Sequence, residues 1–260
     1  MSKTRSSLKI QLDVIKALFE REMKTYFGVR KMGYAWVAIE PLINILPFYL
    51  IRLAVGKSYE INLFLFLITG FLPFFIISHS VNKAVGVINS NSSLFSYKHV
   101  KPIDAIITRV LIELLIFSIA FPIFFGGAIF FTEEIFFVKN PIELLVVVFL
   151  IFLLSCAAAI YVAVSICLYP SLNKIPGMIM RVLYFTSALF FSLSELPPSL
   201  QGYMLYNPLL HLIELFRYNI FAEIHSTPAN YYYPTLFTIS FLFMSLLYYK
   251  KHRYNLIIQK

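Results

Sequence analysis

The run LLVVVFLIFLLSCAAAIYVAVSICL, residues 144–168, is apolar from one end to the other. It exceeds the roughly 20 residues that carry a helix across the hydrocarbon core of a bilayer. Working outward from it, further apolar runs recur near 36–55, 61–81, 104–131, 176–194 and 233–249, which makes six expected spans. The first contains Glu40, Pro41, Asn44 and Pro47, residues a membrane helix tolerates where its neighbours satisfy the freed backbone groups. The expected fold is an all-α integral membrane protein, with residues 1–260 forming one transmembrane domain.

Composition agrees. Of 260 residues, 59% are hydrophobic and 13% charged, and mean hydropathy is +0.77, whereas a soluble domain carries about 25% charged residues. A soluble core cannot absorb that much apolar surface. The net charge of +9 does not point to nucleic acid, because the basic residues cluster between apolar runs instead of forming one solvated patch. Cys156 and Cys167 lie inside the 144–168 run without metal-ligand spacing, and read as packing residues.

The charge distribution sets an orientation. Sixteen basic residues fall in the N-terminal tail, the segment after the second span, Lys174 and the C-terminus; four, Arg52, Lys57, Lys139 and Arg217, fall on the other side. Lys and Arg are retained on the cytoplasmic side, so both termini are expected inside. The start, MSKTRSSLKIQLDVIKALFEREMK, lacks a signal-peptide core and cleavage site and is expected to stay in the mature protein. Over residues 8–27, Leu8, Leu12, Ile15, Phe19, Met23 and Tyr26 recur at helical spacing, with Lys9, Asp13, Lys16, Glu20 and Lys24 on other faces. This pattern predicts an amphipathic helix on the membrane surface, or one packed against the protein's own cytoplasmic side. Residues 82–103 form a long polar inside segment. Residues 195–232 form an outer segment whose apolar pieces are too short to span and suit re-entrant helices. Asn91-Ser92-Ser93 is a glycosylation sequon, and its inside placement predicts that a glycosylation reporter leaves it unmodified.

Catalytic signatures are missing. The string GVRKMG (28–33) has phosphate-loop glycine spacing, but Tyr34 and Ala35 stand where Lys and Ser or Thr are required, so it does not bind ATP. Solute movement powered by ATP would need a separate ATPase subunit. His79, His99, His211, His225 and His252 show no metal-binding spacing and read as solvated or interfacial. No G-x-S-x-G elbow occurs.

Ionisable groups at membrane depth carry the local functional signal, because an unpaired charge there is costly. They are Glu40, Arg109, Glu113, Arg181, Glu214 and Arg217. Arg109 with Glu113 (i,i+4) and Glu214 with Arg217 (i,i+3) are spaced to neutralise each other as structural pairs. Arg181 has no acidic neighbour in sequence and faces either a hydrated path for an anionic substrate or a partner on another helix. Most of the 17 tyrosines and 27 phenylalanines belong to interfacial belts. Tyr34, Trp36, Tyr184, Phe185, Tyr203 and Tyr206 are candidates to line a passage, where flat rings stack on apolar sugar faces.

Four strings carry a family resemblance: LFEREMKTYFGVRKMGYAWVAIEPL (18–42), LFSYKHVKPIDAIITRVLIE (94–113), VLYFTSALFFSLSELP (182–197) and YNPLLHLIELFR (206–217). In this order they resemble ABC-2-type permeases that export capsular polysaccharide in Gram-negative bacteria, over nearly the whole chain. The resemblance implies a homodimer of six-span permeases in the inner membrane, joined to two copies of an ABC ATPase that binds ATP and Mg2+, so that this chain itself holds no cofactor. It further implies a lipid-linked acidic polysaccharide as substrate, with periplasmic and outer-membrane export proteins as partners. Residues 1–32 would be the family's gate helix and residues 196–226 its short outer helices. A coupling helix around Val85 to Tyr97 would dock on the ATPase through Val85, Val87, Ile88, Asn89, Leu94, Phe95 and Tyr97. The chain departs from the pattern at Val182, where many relatives carry proline, and over Thr132 to Pro141. An ABC-2 permease for O-antigen, teichoic acid or a drug, a secondary transporter, and a membrane glycosyl or acyl transferase are the competing readings.

Overall fold

The computed structural model describes residues 7–28, 33–55, 61–97, 99–132, 137–225 and 227–258, and among them every regular element is a helix. The side chain of Tyr34, residues 29–32 of the glycine-spaced string, Lys57, Lys98 and residues 133–136 lie outside this description. The helices are α1 (Ser7–Gly28), α2 (Gly33–Val55), α3 (Leu63–Ala84), α4 (Val87–Ser90), α5 (Pro102–Thr132), α6 (Pro141–Leu168), α7 (Ile175–Thr186), α8 (Pro198–Met204), α9 (Pro208–Ile220), α10 (Tyr232–His252) and α11 (Asn255–Ile258).

Four of them, α2, α3, α5 and α6, are long and apolar enough to cross a membrane. At the centre is α3. The Asn62 side chain accepts from the backbone N–H groups of Phe64 and Leu65 at 3.0 and 3.4 Å, which satisfies donors a helix start leaves open. From there Leu65, Leu67, Ile68 and Phe71 are fully buried. Helices α5 and α6 flank α3, α9 rests on α6 and α3, and α10 runs along α6. Helix contacts in lipid rest on close van der Waals packing between small residues. Accordingly Ala157, Ala159 and Ala163 of α6, and Thr238 and Ser245 of α10, are buried. Helix α10 has 21 residues, about 31 Å at helical rise, and carries tyrosines at both ends as interfacial helices do.

Pro41 and Pro47 do not break α2, which is continuous from Gly33 to Val55. The Asn44 side chain donates to the Glu40 carbonyl at 2.8 Å, so its amide is satisfied within the helix between the two prolines. Leu42, Ile43, Leu46, Leu50 and Leu53 of this helix are exposed.

The expected fifth span, 176–194, is corrected. Helix α7 has 12 residues, about 18 Å of rise, which is short of the roughly 30 Å hydrocarbon core. It stops at Thr186, and the chain turns through Ala188, whose φ is 56°, a left-handed conformation uncommon outside glycine. The apolar character of residues 187–194 comes from an irregular buried segment instead of a helix.

Candidate functional site

The polar segment after α3 folds back on the protein. After a turn at Val85 and Gly86 come α4 and a 3-10 turn, Ser92–Ser96. Val87, Ile88 and Phe95 are buried in a cluster with Ile106, Val110, Ile160 and Leu256, while Val85 and Leu94 are half-buried. Three of the seven expected docking residues therefore anchor the segment to its own domain. Asn89, Ser90, Ser92 and Ser93 are exposed, and Tyr97 is 67% exposed; this is the face available to another protein. Asn91 of the sequon is buried and its amide donates to the Val87 carbonyl at 2.9 Å.

The surface helix α1 is tied to this segment. Arg21 donates to the Asn91 side-chain oxygen, and Glu22 pairs with Arg109 of α5 at 3.2 Å. Gln11 bonds Asp104 and accepts from Lys101 at 3.1 Å. Leu18 is buried, whereas Leu12 is 66% exposed. The amphipathic helix thus packs on its own protein along one side and leaves part of its apolar face open.

A second polar cluster joins three long helices. His79 of α3 lies 3.2 Å from Glu40 of α2 through Nε2 and 3.2 Å from Glu113 of α5 through Nδ1, so each carboxylate accepts an N–H when the ring carries both protons. Lys83, one turn along α3, also bonds Glu113. Phe75 stacks on the imidazole with centroids 5.2 Å apart. Beside them is a cavity of about 30 Å3 bounded by Glu40, His79, Glu113 and Phe117, which is room for one water.

The i,i+4 pairing expected of Arg109 and Glu113 is corrected. Both lie along α5, but Arg109 turns to α1 and Glu113 to α3, where each meets an opposite charge that the sequence spacing does not reveal. Glu214 and Arg217 do lie 3.5 Å apart, inside a larger clamp. Arg217 is fully buried, sits over the Phe66 ring at 4.0 Å and donates to the carbonyls of Leu189 at 2.6 Å and Phe191 at 3.2 Å. Glu214 accepts from the Leu193 N–H at 3.0 Å, and Asn207 donates to the Thr186 carbonyl and the Ser187 hydroxyl. One polar stripe of α9 and its cap therefore satisfies the backbone of the irregular segment after α7. Arg52, at the end of α2, pairs with Glu195 nearby. His211, expected to be solvated, is 2% exposed: it faces the Leu205 carbonyl through Nε2 and accepts the Asn230 N–H at Nδ1, the pattern of a neutral ring.

The passage candidates do not converge on one pocket of this chain. Arg181 and Phe185 are exposed one turn apart on α7, and Trp36 is 41% exposed on α2. Tyr203 and Tyr206 are more than three-quarters exposed in and after α8. Tyr184 is half-buried in an aromatic cluster with Phe48, Phe71 and Phe74. Sequence reasoning missed Arg21, Glu22, His79, Lys83 and Asn91. His79 and Lys83 stand four apart on one face of α3, the signal that could have drawn them together. Among the described residues no group of three His, Cys, Asp or Glu is placed to hold a metal ion.

Residues 13–221 match the ABC-2 type transporter family, a stretch from within α1 through the segment after α3 and the Arg217 clamp to the end of α9. The chain belongs to the ABC-2 transporter family. This ABC-2 transporter is 34% identical over 252 residues to the polysialic acid transport protein KpsM of Escherichia coli, covering 95% of this chain and 96% of that one. It is 28% identical over 246 residues to the capsule polysaccharide export inner-membrane protein BexB of Haemophilus influenzae, with 93% and 92% covered. It is 30% identical over 246 residues to the corresponding protein CtrC of Neisseria meningitidis serogroup B, with 92% and 91% covered. The ABC-2 relatives therefore match the whole helical scaffold, not one segment of it.

Proposed function

We propose that this chain is the inner-membrane permease subunit of an ABC exporter that moves a lipid-linked, acidic capsular polysaccharide out of the cytoplasm. Two copies form the pathway and two copies of a separate ATPase subunit bind ATP and Mg2+ and supply the energy; periplasmic and outer-membrane export proteins receive the polymer. Both termini lie in the cytoplasm. Of six crossings, α2, α3, α5, α6 and α10 make five; α7 continued by the irregular buried segment after Thr186 makes the other, and α8 and α9 form a re-entrant hairpin on the outer side. The names of the full-length relatives support the substrate class.

The observation that carries the mechanism is the double tie of α1, to the coupling segment through Arg21 and Asn91 and to α5 through Glu22 and Arg109. A push on the exposed face of Asn89 to Tyr97 reaches α5 through the buried anchors Val87, Ile88 and Phe95, and reaches the gate helix α1 through Asn91. Closure of the ATPase halves on ATP thereby moves the surface helix and a spanning helix together, a rigid coupling of the hinge and shear kind. The pathway forms between the two copies, with Arg181, Phe185 and Trp36 on exposed faces of α7 and α2 turned toward the polymer, and Arg181 available to a carboxylate or phosphate.

The test is co-purification of the chain with its ATPase in mild detergent, followed by ATPase activity and surface polysaccharide with and without Asn89→Ala and Tyr97→Ala. A two-plus-two complex whose export falls while the permease stays folded is expected. A chain that purifies alone and exports without the ATPase would overturn the reading, and normal surface polysaccharide with Arg181→Ala would remove that residue from the path.

A further inference from the structure

A cleft of about 510 Å3 opens between α7 on one side and α6 and α10 on the other, floored by Ile77 and Val81 of α3. This is the size of pockets that enclose a whole small ligand. Its walls are Ala158 and Tyr161 of α6, Ile179 and Leu183 of α7 and Phe241 of α10. The opening exists because α7 leans on α3 and stands away from α6 and α10. Tyr161 and Ile179 on its rim are about half exposed. The polar groups within reach are largely engaged elsewhere: Asn207 caps α9 and bonds Thr186 and Ser187. A glycan cannot occupy such a space, since its hydroxyls would be buried without partners. Leu172 and Ile175 line the cleft, and Lys174 between them in the chain is exposed.

We propose that this cleft is a binding site for one acyl chain of an anionic phospholipid, with its headgroup held at Lys174. This rests on the topology proposed above, which sets Lys174 and the α7 start at the cytoplasmic surface, so that the cleft runs from that surface toward mid-membrane. The chemistry is complementary at both ends. Apolar walls take the chain, and a lysine at the cytoplasmic interface attracts an anionic headgroup. The cleft is separate from the stripe of α7 carrying Met178, Val182 and Phe185, which faces elsewhere, so a filled cleft would brace α7 from behind while the polymer passes on its other side.

The full chain, reconstituted in vesicles of phosphatidylethanolamine and phosphatidylglycerol and extracted in mild detergent, is assayed by native mass spectrometry for retained lipid. Wild type should keep phosphatidylglycerol; Ala158→Trp, which fills the cleft, should lower retention about tenfold, equivalent to losing about two buried methylenes. Leu183→Trp, from the opposite wall, should do the same, so that a folding failure of one variant does not decide the matter. Met244→Trp, on an exposed face of α10, should change nothing. Lys174→Gln should keep the lipid but lose the preference for phosphatidylglycerol. Undiminished retention in both cleft variants, an unchanged headgroup preference in Lys174→Gln, or a disulfide between two copies through Ile179→Cys would overturn the inference. Labelling of Lys174→Cys only from the outer side would instead overturn the topology, leaving the cleft variants to decide acyl binding on their own.

Discussion

Arg109 of α5 pairs with Glu22 of the surface helix α1 at 3.2 Å and not with Glu113, one turn along its own helix. The pair is mostly buried, with side chains 25% and 12% exposed, so it belongs between the weak surface class and the interior class of ion pair.

Arg109→Ala and Glu22→Ala are each expected to loosen α1 from α5, with a coupling energy of about 0.5–3 kcal/mol in a double-mutant cycle. Thermal unfolding in detergent measures it. The charge-reversed pair Arg109→Glu with Glu22→Arg should recover part of the loss, and purely additive single effects would show that the two do not interact.

Glu113 answers both His79 and Lys83 and is 3% exposed. Glu113→Ala removes the carboxylate that His79 and Lys83 both face in a nearly buried site and should cost about 1–3 kcal/mol of stability. Chemical denaturation of the purified chain reads this, and a loss under 1 kcal/mol, the range of an exposed pair, would place the cluster in water.

Within the segment from Val85 to Tyr97 burial separates two kinds of effect. Phe95→Ala removes a core anchor and should destabilise by about 3–5 kcal/mol. Tyr97→Ala should leave stability within about 0.5 kcal/mol while weakening association with the ATPase subunit. Thermal unfolding set beside a pull-down of the ATPase distinguishes them.

Gly70 of α3 lies under the clamp, where a Cβ would collide with the Leu189 carbonyl and the Arg217 guanidinium. Gly70→Ala should therefore push the irregular segment off α9 and lower the yield of monodisperse protein, with the roughly 1–3 kcal/mol cost of overpacking. Gly126→Ala and Gly127→Ala, in α5 with open space around them, should be neutral or stabilise by about 0.5–1 kcal/mol as helix interiors do. Equal yields of all three would mean that α3 and the clamp do not meet.

The long helices were legible because a bilayer imposes both length and apolar character on each crossing, and residues 144–168 announce both. The end of α7 was not. Residues 187–194 are as apolar as the helix before them, and what stops the helix is a set of partners on α9: Asn207, Glu214 and Arg217. The family strings point to the segment after α3 but not to which of its side chains face inward, since Val87, Ile88 and Phe95 look like a docking surface until Ile106 and Ile160 are found covering them. The Arg109 and Glu113 pairing failed for a related reason. Helical spacing ranks neighbours on one helix and is blind to Glu22 and His79 arriving from others. His79 itself carried a local clue in Lys83, four residues on, which single-residue reasoning about histidines passes over.

Arg217 allows the chain to leave its helix where the sequence is still apolar. An unwound backbone asks for hydrogen-bond partners, and around the buried Ala188 and Leu189 no solvent supplies them. A guanidinium has five N–H donors, and here two of its nitrogens supply the carbonyls of Leu189 and Phe191. The hairpin thus brings its own hydration in the form of a side chain, fixed in place where water would exchange. A lysine there would keep the charge but lose the planar fork of donors, and the segment after Thr186 would be left dry.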